Sequence, residues 1–542
     1  MRRSISGHLH LSTRPLEGSV AMGSWSAAFV LLVVGVTVVY STPLINEKQP
    51  GQEWPNRGAV PQPSDYKLVE TATETVSGEK SEQEVTTDEL PLEIIEEEPV
   101  EEKIKTDVTN TNTQENEDSD NNTLNNEVDT IKTKTTLTKA ETASQKVDYS
   151  GAQLWKVSIE KEGSRGILGR LRRRNQIATW GTNGTAIDVF IKPDAIQNVT
   201  RVLSRENIAF EVVIEDLQKR IDEENPPLDE NEVELQDRRG HRMNWKQYHR
   251  LEDIDGFLEY LSKTYPAIIS VNSIGKSHEG RELKVLRISN GNPSNKAIFI
   301  DGGIHAREWI SPATVTYIIN QFAENFDEES EDIKNLDWYF LPVMNPDGYE
   351  YTHMSDRLWR KNRRPGVAGR GCSGVDLNRN FGYRWGGKGT SSSSCSEIYR
   401  GPRAFSEPES RAVYEFFQKS AANYVAYITY HSYGQYILYP WGYENAVPPD
   451  YEDLQSLGDK MAAVIQSTGG DYYSVGSSSK LLYPAAGGSD DWAKSQGIKY
   501  SYTIELNDKG RYGFVLPTTY IENVAKESLA ALRVLAAQVN KE

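Results

Sequence analysis

Cysteine is scarce in this chain: 542 residues carry two, Cys372 and Cys395. In an oxidising compartment the pair could close one disulfide, worth roughly 3 kcal/mol for a loop of modest length. Otherwise they are two unrelated thiols. Dense positive charge is also missing. Basic residues crowd only at 170–174, so no nucleic-acid partner is expected. Long apolar runs are lacking too. The best candidate, residues 27–40, falls short of the ~20 apolar residues that a membrane span needs, so no stable membrane association is expected. Ser41 and Thr42 follow it, and the run reads as the core of a signal peptide over residues 1–41. Met22 is an alternative start that would give that signal an ordinary length. An uncleaved, membrane-tethering signal anchor is the competing reading.

What is present divides by composition. The formal net charge is -18, but the acids gather upstream, most densely at 84–102, so the total mostly describes a tail. Residues 42–145 are rich in Thr, Glu, Asn and Asp and poor in aromatics. Such a segment buries too little apolar surface to offset its ordering entropy, and disorder is expected. Asn121 begins a glycosylation sequon there, as Asn183 and Asn198 do further on.

Structure is expected from residue 146. Residues 155–159, 186–191 and 210–214 read as strands, and 193–203 and 215–223 as helices, which makes 146–223 a small α+β module. Residues 224–242 read as a polar linker with Pro226, Pro227, a run of acids, and then Arg238, Arg239 and Arg242. Exposed basic sites in a flexible linker are good targets for a protease. Arg172–Arg174 is a second candidate cut.

Residues 243–542 form the largest unit. Strands are expected at 297–301, 338–343, 424–430 and 499–506, with helices between them. Ser311-Pro312 reads as a helix start with serine as cap, and Ser406 to Glu409 as a capping box. This alternation predicts an α/β fold with a largely parallel sheet covered on both faces. Ligands of such sheets gather at the carboxyl ends of the strands.

Two of those strand ends carry metal-binding chemistry. His305 and Glu308 follow the strand at 297–301 across Gly302-Gly303, where a tight turn can bring both onto one ion. His431 follows the strand at 424–430. Zinc accepts imidazole nitrogen and carboxylate oxygen, and a catalytic site leaves a position open for water. Asp376 could orient one imidazole. Glu505, near the end of the strand at 499–506, could take a proton from the attacking water and pass it on. Taken singly, each of these residues has a plainer reading as a core histidine or an ion-paired acid.

The segments DGGIHAREW (301–309), LWRKN (358–362), GVDLNRNF (374–381), YHSYGQ (430–435), GGSDDW (487–492) and YTIEL (502–506) together resemble the zinc metallocarboxypeptidases of the pancreatic A and B type, the M14 family. The resemblance implies an α/β/α catalytic domain with a mixed, largely parallel eight-stranded sheet. It implies one Zn2+ held by His305, Glu308 and His431, with Glu505 as general base and then general acid, and Arg360 beside the oxyanion. Asn378, Arg379 and Tyr483 would hold the terminal carboxylate of a peptide, with Arg307 and Tyr433 contacting the substrate. A planar guanidinium fork grips a carboxylate well, and only a chain end offers one there. Cys372 and Cys395 would form the family's disulfide.

Residues 147–222, notably YSGAQLWKV and FEVVIEDLQ, resemble the family's activation segment. The resemblance implies a ferredoxin-like prodomain over the cleft, freed by a trypsin-like protease near Arg239 or Arg242. Asp490 takes the position at the base of the specificity pocket. A buried carboxylate needs a partner charge, and a substrate Lys or Arg side chain would supply it. The chain is therefore expected to be a secreted, monomeric zymogen that removes C-terminal Lys or Arg from peptides. The alternative is a membrane-tethered or non-catalytic peptide-binding protein on the same scaffold.

Overall fold

The computed structural model describes residues 146–542, except 183, 239 and 367–370. The expected signal peptide (1–41), the acidic segment (42–145), Asn183 and Arg239 lie outside the described residues.

The first module has four strands: β1 (Gln153–Ser158), β2 (Ile177–Thr182), β3 (Ala186–Ile191) and β4 (Phe210–Ile214). They form one sheet in the order β2-β3-β1-β4, and every neighbouring pair is antiparallel. Helices Ser164–Arg173 and Ile196–Arg205 pack on one face. Strand alternation decides what each face buries. Trp155 and Val157 of β1 and Val189 and Ile191 of β3 point into the module's own core, beside Leu171 and Leu203. Leu154 and Phe190 point the other way. They join Ile214 and Leu217 in a second cluster that also contains Leu358 and Val515 of the large unit. The sheet is therefore sandwiched between its own helices and the rest of the protein.

The large unit is built on eight strands: β5 (Ile269–Lys276), β6 (Glu282–Ile288), β7 (Lys296–Asp301), β8 (Leu336–Leu341), β9 (Asn423–Ser432), β10 (Tyr436–Tyr439), β11 (Ser474–Ser477) and β12 (Tyr500–Leu506). Their order is β11-β10-β12-β9-β7-β8-β6-β5. The pairs β10–β11, β12–β9, β9–β7 and β7–β8 are parallel, and β10–β12, β8–β6 and β6–β5 are antiparallel. This is the expected mixed sheet. Both its faces are covered. Ile298 and Ile300 of β7 enter one apolar cluster with helices Ile310–Glu324 and Ile521–Asn540. Phe299, between them, enters another with Leu377, Val413 and Trp492.

Three local expectations need correction. The linker at 224–242, read as flexible, is partly ordered, because Glu230–Arg238 is helical and Gln236 Nε2 donates to the Arg242 carbonyl at 2.7 Å. Ser311 does not cap its helix, which starts at Ile310. Its hydroxyl donates to the Tyr430 carbonyl (2.7 Å) and accepts from Gly303 N (2.9 Å), so it ties β9 to the turn after β7. Ser406 is also not a cap. The helix is Pro408–Lys419, and the Ser406 hydroxyl donates instead to Glu407 at 2.6 Å. No helix among the described residues is long and apolar enough to cross a membrane.

Candidate metal centre and cleft

Strands β7, β9 and β12 run parallel side by side, and their carboxyl ends share one edge of the sheet. His431 lies directly opposite Glu505 across the β9–β12 ladder. His305 and Glu308 follow β7 through Gly303. That glycine has φ of 64°, and a Cβ there would meet Pro312 at 3.0 Å, so the turn that brings both side chains round requires it.

All three side chains converge. His305 Nδ1 is 2.7 Å from Glu308 Oε1 and 3.1 Å from His431 Nδ1, and His431 Nδ1 is 3.1 Å from Glu308 Oε2. The far ring nitrogens decide which tautomers these are. His305 Nε2 donates to Asp376 Oδ1 at 3.2 Å. His431 Nε2 lies 3.2 Å from Thr429 Oγ1, whose own proton goes to Asp301 Oδ1 at 2.7 Å. With each Nε2 carrying its proton, both Nδ1 lone pairs face the centre. Two lone pairs 3.1 Å apart repel unless a cation or proton lies between them. The donor set, two imidazoles and a carboxylate buried at a strand edge, fits zinc.

Around this centre the cleft is lined by Arg360, Asn378, Arg379, Tyr433, Tyr483, Asp490 and Glu505. Burial pushes Glu505 up to about 7 in the protein alone, with Glu308 adding to the push and His431 opposing it. Arg360 donates to Asp376 through Nε (3.2 Å) and Nη2 (2.9 Å), and its Nη1 lies 3.8 Å from Glu308. Burial would raise Asp376, but Arg360, Arg379 and His305 hold it well below the carboxylate range. One carboxylate thus orients an imidazole and a guanidinium together. The Asn378 side-chain oxygen accepts from Ser489 N (2.9 Å), which leaves its amide N–H groups as donors. Arg379 is fixed by the carbonyls of Gly389 (3.0 Å) and Asn378 (2.6 Å).

Two acids at the far end of the cleft divide their work. Asp491 accepts from the amides of Gly442 (2.7 Å) and Tyr443 (2.9 Å) and holds that loop. Asp490 lines the cleft itself. Burial raises its carboxyl, offset by backbone amides, His431 and the Thr503 hydroxyl. No Lys or Arg among the described residues is ion-paired with it.

Arg307 does not line the cleft itself. It is buried with its guanidinium 4.1 Å over the Phe514 ring, donates to the Leu358 carbonyl and lies 3.7 Å from the exposed Glu397 carboxylate. Cys372 and Cys395 are joined in a disulfide.

The first module forms part of the cleft wall. Trp180, Gly181 and Thr182 of β2 are part of its lining, and Trp180 packs 4.9 Å from Phe514. Asp188 Oδ2 accepts from the Tyr433 hydroxyl at 2.9 Å. At the module's end, Glu224 is gripped by Arg357 Nε (2.7 Å) and Nη2 (2.5 Å), both side chains being buried. Sequence reasoning missed Trp180, Asp188, Thr429, Asp301 and Glu224. Asp301 and Thr429 are partners only through the β7–β9 register, which nothing in either local segment announces.

A buried His-Glu-His centre with a carboxylate and a guanidinium beside it, open to a cleft, is the apparatus of a metallopeptidase. Residues 254–531 match the family described as zinc carboxypeptidase, Peptidase M14, and residues 155–224 match the carboxypeptidase activation peptide. The chain belongs to the zinc carboxypeptidase family: it is a zinc-dependent peptide hydrolase that carries its activation segment. Carboxypeptidase B of Astacus astacus is 45% identical over 295 residues, 54% of this chain and 97% of that protein. Carboxypeptidase A1 of Bos taurus is 36% identical over 404 residues, 73% of this chain and 96% of that protein. Among solved structures, thrombin activatable fibrinolysis inhibitor aligns with a TM-score of 0.67 at 35% identity, covering 73% of this chain and all of that one.

Proposed function

We propose that this chain is the precursor of a secreted carboxypeptidase that releases C-terminal lysine or arginine from peptides and acts as a monomer after a trypsin-like cut near Arg239 or Arg242. The observation that carries the specificity is Asp490, a buried carboxylate lining the cleft with no Lys or Arg of the protein paired to it among the described residues. A charge so placed is costly unless something supplies the counter-charge, and a substrate side chain does so. Relatives named carboxypeptidase B support the same reading.

In this reading His305, Glu308 and His431 hold the zinc. When bound, zinc supplies Lewis acidity toward the scissile carbonyl and the attacking water. Glu505 takes the water's proton and returns it to the leaving amine, a role suited to a carboxyl near neutrality. Arg360, steadied by Asp376, faces the charge that develops on the carbonyl oxygen. Asn378, Arg379 and Tyr483 hold the terminal carboxylate, which restricts the enzyme to chain ends. Tyr433 and Arg307 contact the peptide once the activation segment has left. That segment keeps the precursor inactive by filling the cleft with Trp180 and engaging Tyr433.

The test is hydrolysis of matched peptides ending in Arg, Lys, Phe and Glu after trypsin treatment. Release of Arg and Lys should be fastest, and faster release of Phe would refute the role given to Asp490. The N-terminus of the chain recovered from culture medium reports secretion directly.

A further inference from the structure

Outside the cleft lining, His278, Glu407 and Glu409 form a second cluster with the donor types of a cation site. The Glu407 carboxylate, however, is already satisfied. Its Oε1 accepts from Ser406 Oγ (2.6 Å) and Arg364 Nη1 (2.7 Å), and its Oε2 accepts from His278 Nε2 (2.8 Å) and Asn362 Nδ2 (2.9 Å). Four donors use its lone pairs, which leaves none for an ion.

What the cluster holds is Asn362. This side chain is fully buried, and its Nδ2 also donates to Glu409 Oε2 at 3.0 Å. Its oxygen accepts from Val375 N (2.8 Å) and Arg364 N (3.3 Å), and its own backbone N–H donates to the Val375 carbonyl (3.0 Å). Val375 precedes Asp376, the carboxylate that binds Arg360 and His305. Arg360 lies two residues before Asn362, and its carbonyl accepts from Ala306 N at 3.0 Å. Asn362 thus joins the segment that carries Arg360 to the segment that carries its orienting acid, and two buried acids from the helix start at Pro408 fix Asn362 in turn.

We propose that Asn362, held by Glu407 and Glu409, is a positioning residue for the hydrolysis: it sets the register between the Arg360 and Asp376 segments and so aims the Arg360 guanidinium. An arginine side chain has several free torsions, and its aim depends on where both its backbone and its carboxylate partner sit. A displacement of about 1 Å at such a group can lower a rate on the order of a hundredfold. Asn362 Nδ2 bridges the two acids, as does His278, whose ring bonds Glu407 and whose backbone N–H donates to Glu409 at 3.2 Å. Burial already pushes Glu409 up to about 7.

This inference rests on the role proposed for Arg360, so Arg360→Ala is measured beside it. Asn362→Ala, made in the full-length chain and activated with trypsin, should lower kcat on a peptide ending in arginine by about tenfold or more. KM should stay within about twofold, and zinc content should not change. In an Arg360→Ala background the same substitution should lower kcat by less than about threefold, because the group it positions is gone. An equal loss in both backgrounds, or a loss carried by KM, would make Asn362 merely structural and overturn the proposal. Unchanged kcat in Arg360→Ala alone would sink the reading of Arg360, and the proposal with it. Glu409→Gln and Glu409→Ala give a second route that spares Asn362. Glutamine keeps an acceptor for the Asn362 amide and should retain more kcat than alanine, and equal losses would also overturn the proposal.

Discussion

The Tyr433 hydroxyl donates to Asp188 Oδ2 at 2.9 Å, which ties a cleft residue to a carboxylate of the activation segment. Burial under the interface pushes Asp188 up to about 6, against the opposing effects of Tyr433 and Lys156. Once the segment leaves, Asp188 returns toward its ordinary value of 3.8. Between those values the docked form keeps a proton that the free form releases. Docking is therefore tightest below about pH 4, weakens as pH rises to about 6, and then levels off. For the cleaved segment, the dissociation constant should rise on the order of a hundredfold from pH 4 to 7. Inhibition by added segment measures this. Asp188→Asn should flatten the profile, and a flat wild-type profile would contradict the assignment.

The Glu224–Arg357 pair is a second anchor of the segment. Removing one partner of a buried ion pair leaves an uncompensated charge and costs about 3–5 kcal/mol. Glu224→Ala should lower the melting temperature of the precursor and speed departure of the segment after the linker is cut. The mature enzyme, which has lost Glu224 with the segment, should melt as before. Equal melting of the two precursors would show that the pair contributes nothing net.

Asp490→Ala should reverse the preference among C-terminal residues. An ion pair inside a dry pocket supports discrimination of several kcal/mol. Thus kcat/KM for a peptide ending in arginine should fall about a hundredfold or more, while that for one ending in phenylalanine rises. A parallel fall for both substrates would indicate damage to the cleft rather than lost specificity.

Glu505→Gln keeps the size of the side chain and removes its basicity. Zinc content should be retained, because Glu505 is not among the three converging donors. Turnover should drop by about three orders of magnitude or more. Only a few-fold loss would place the general base elsewhere.

Much of this was legible before any coordinates, and the reasons are physical. The β7 core is continuously apolar and ends in Asp-Gly-Gly, so both the strand and the turn that carries His305 could be read locally. β3 and β4 were legible because AIDVFI and FEVVI are short runs rich in β-branched and aromatic residues. The short strands β10 and β11 and the edge strand β5 escaped because four residues, or a half-exposed pattern, carry little periodic signal. The linker helix Glu230–Arg238 was hidden in an acidic sequence without an apolar stripe. At the site, the ligand types stood out by chemistry. Their support did not, since Thr429 reaches Asp301, and Asn362 reaches Glu409, only through pairings between distant segments. Arg307 shows the converse: a residue prominent in a matching motif is buried beneath Phe514 in the precursor.

Zinc content together with chelation tests the metal centre most directly. The activated protein should hold about one zinc per chain and release C-terminal arginine. A chelator should abolish that release, zinc should restore it, and Glu308→Ala and His431→Ala should bind almost none. Arginine release that persists in the chelated, zinc-free protein would contradict the assignment of His305, Glu308 and His431.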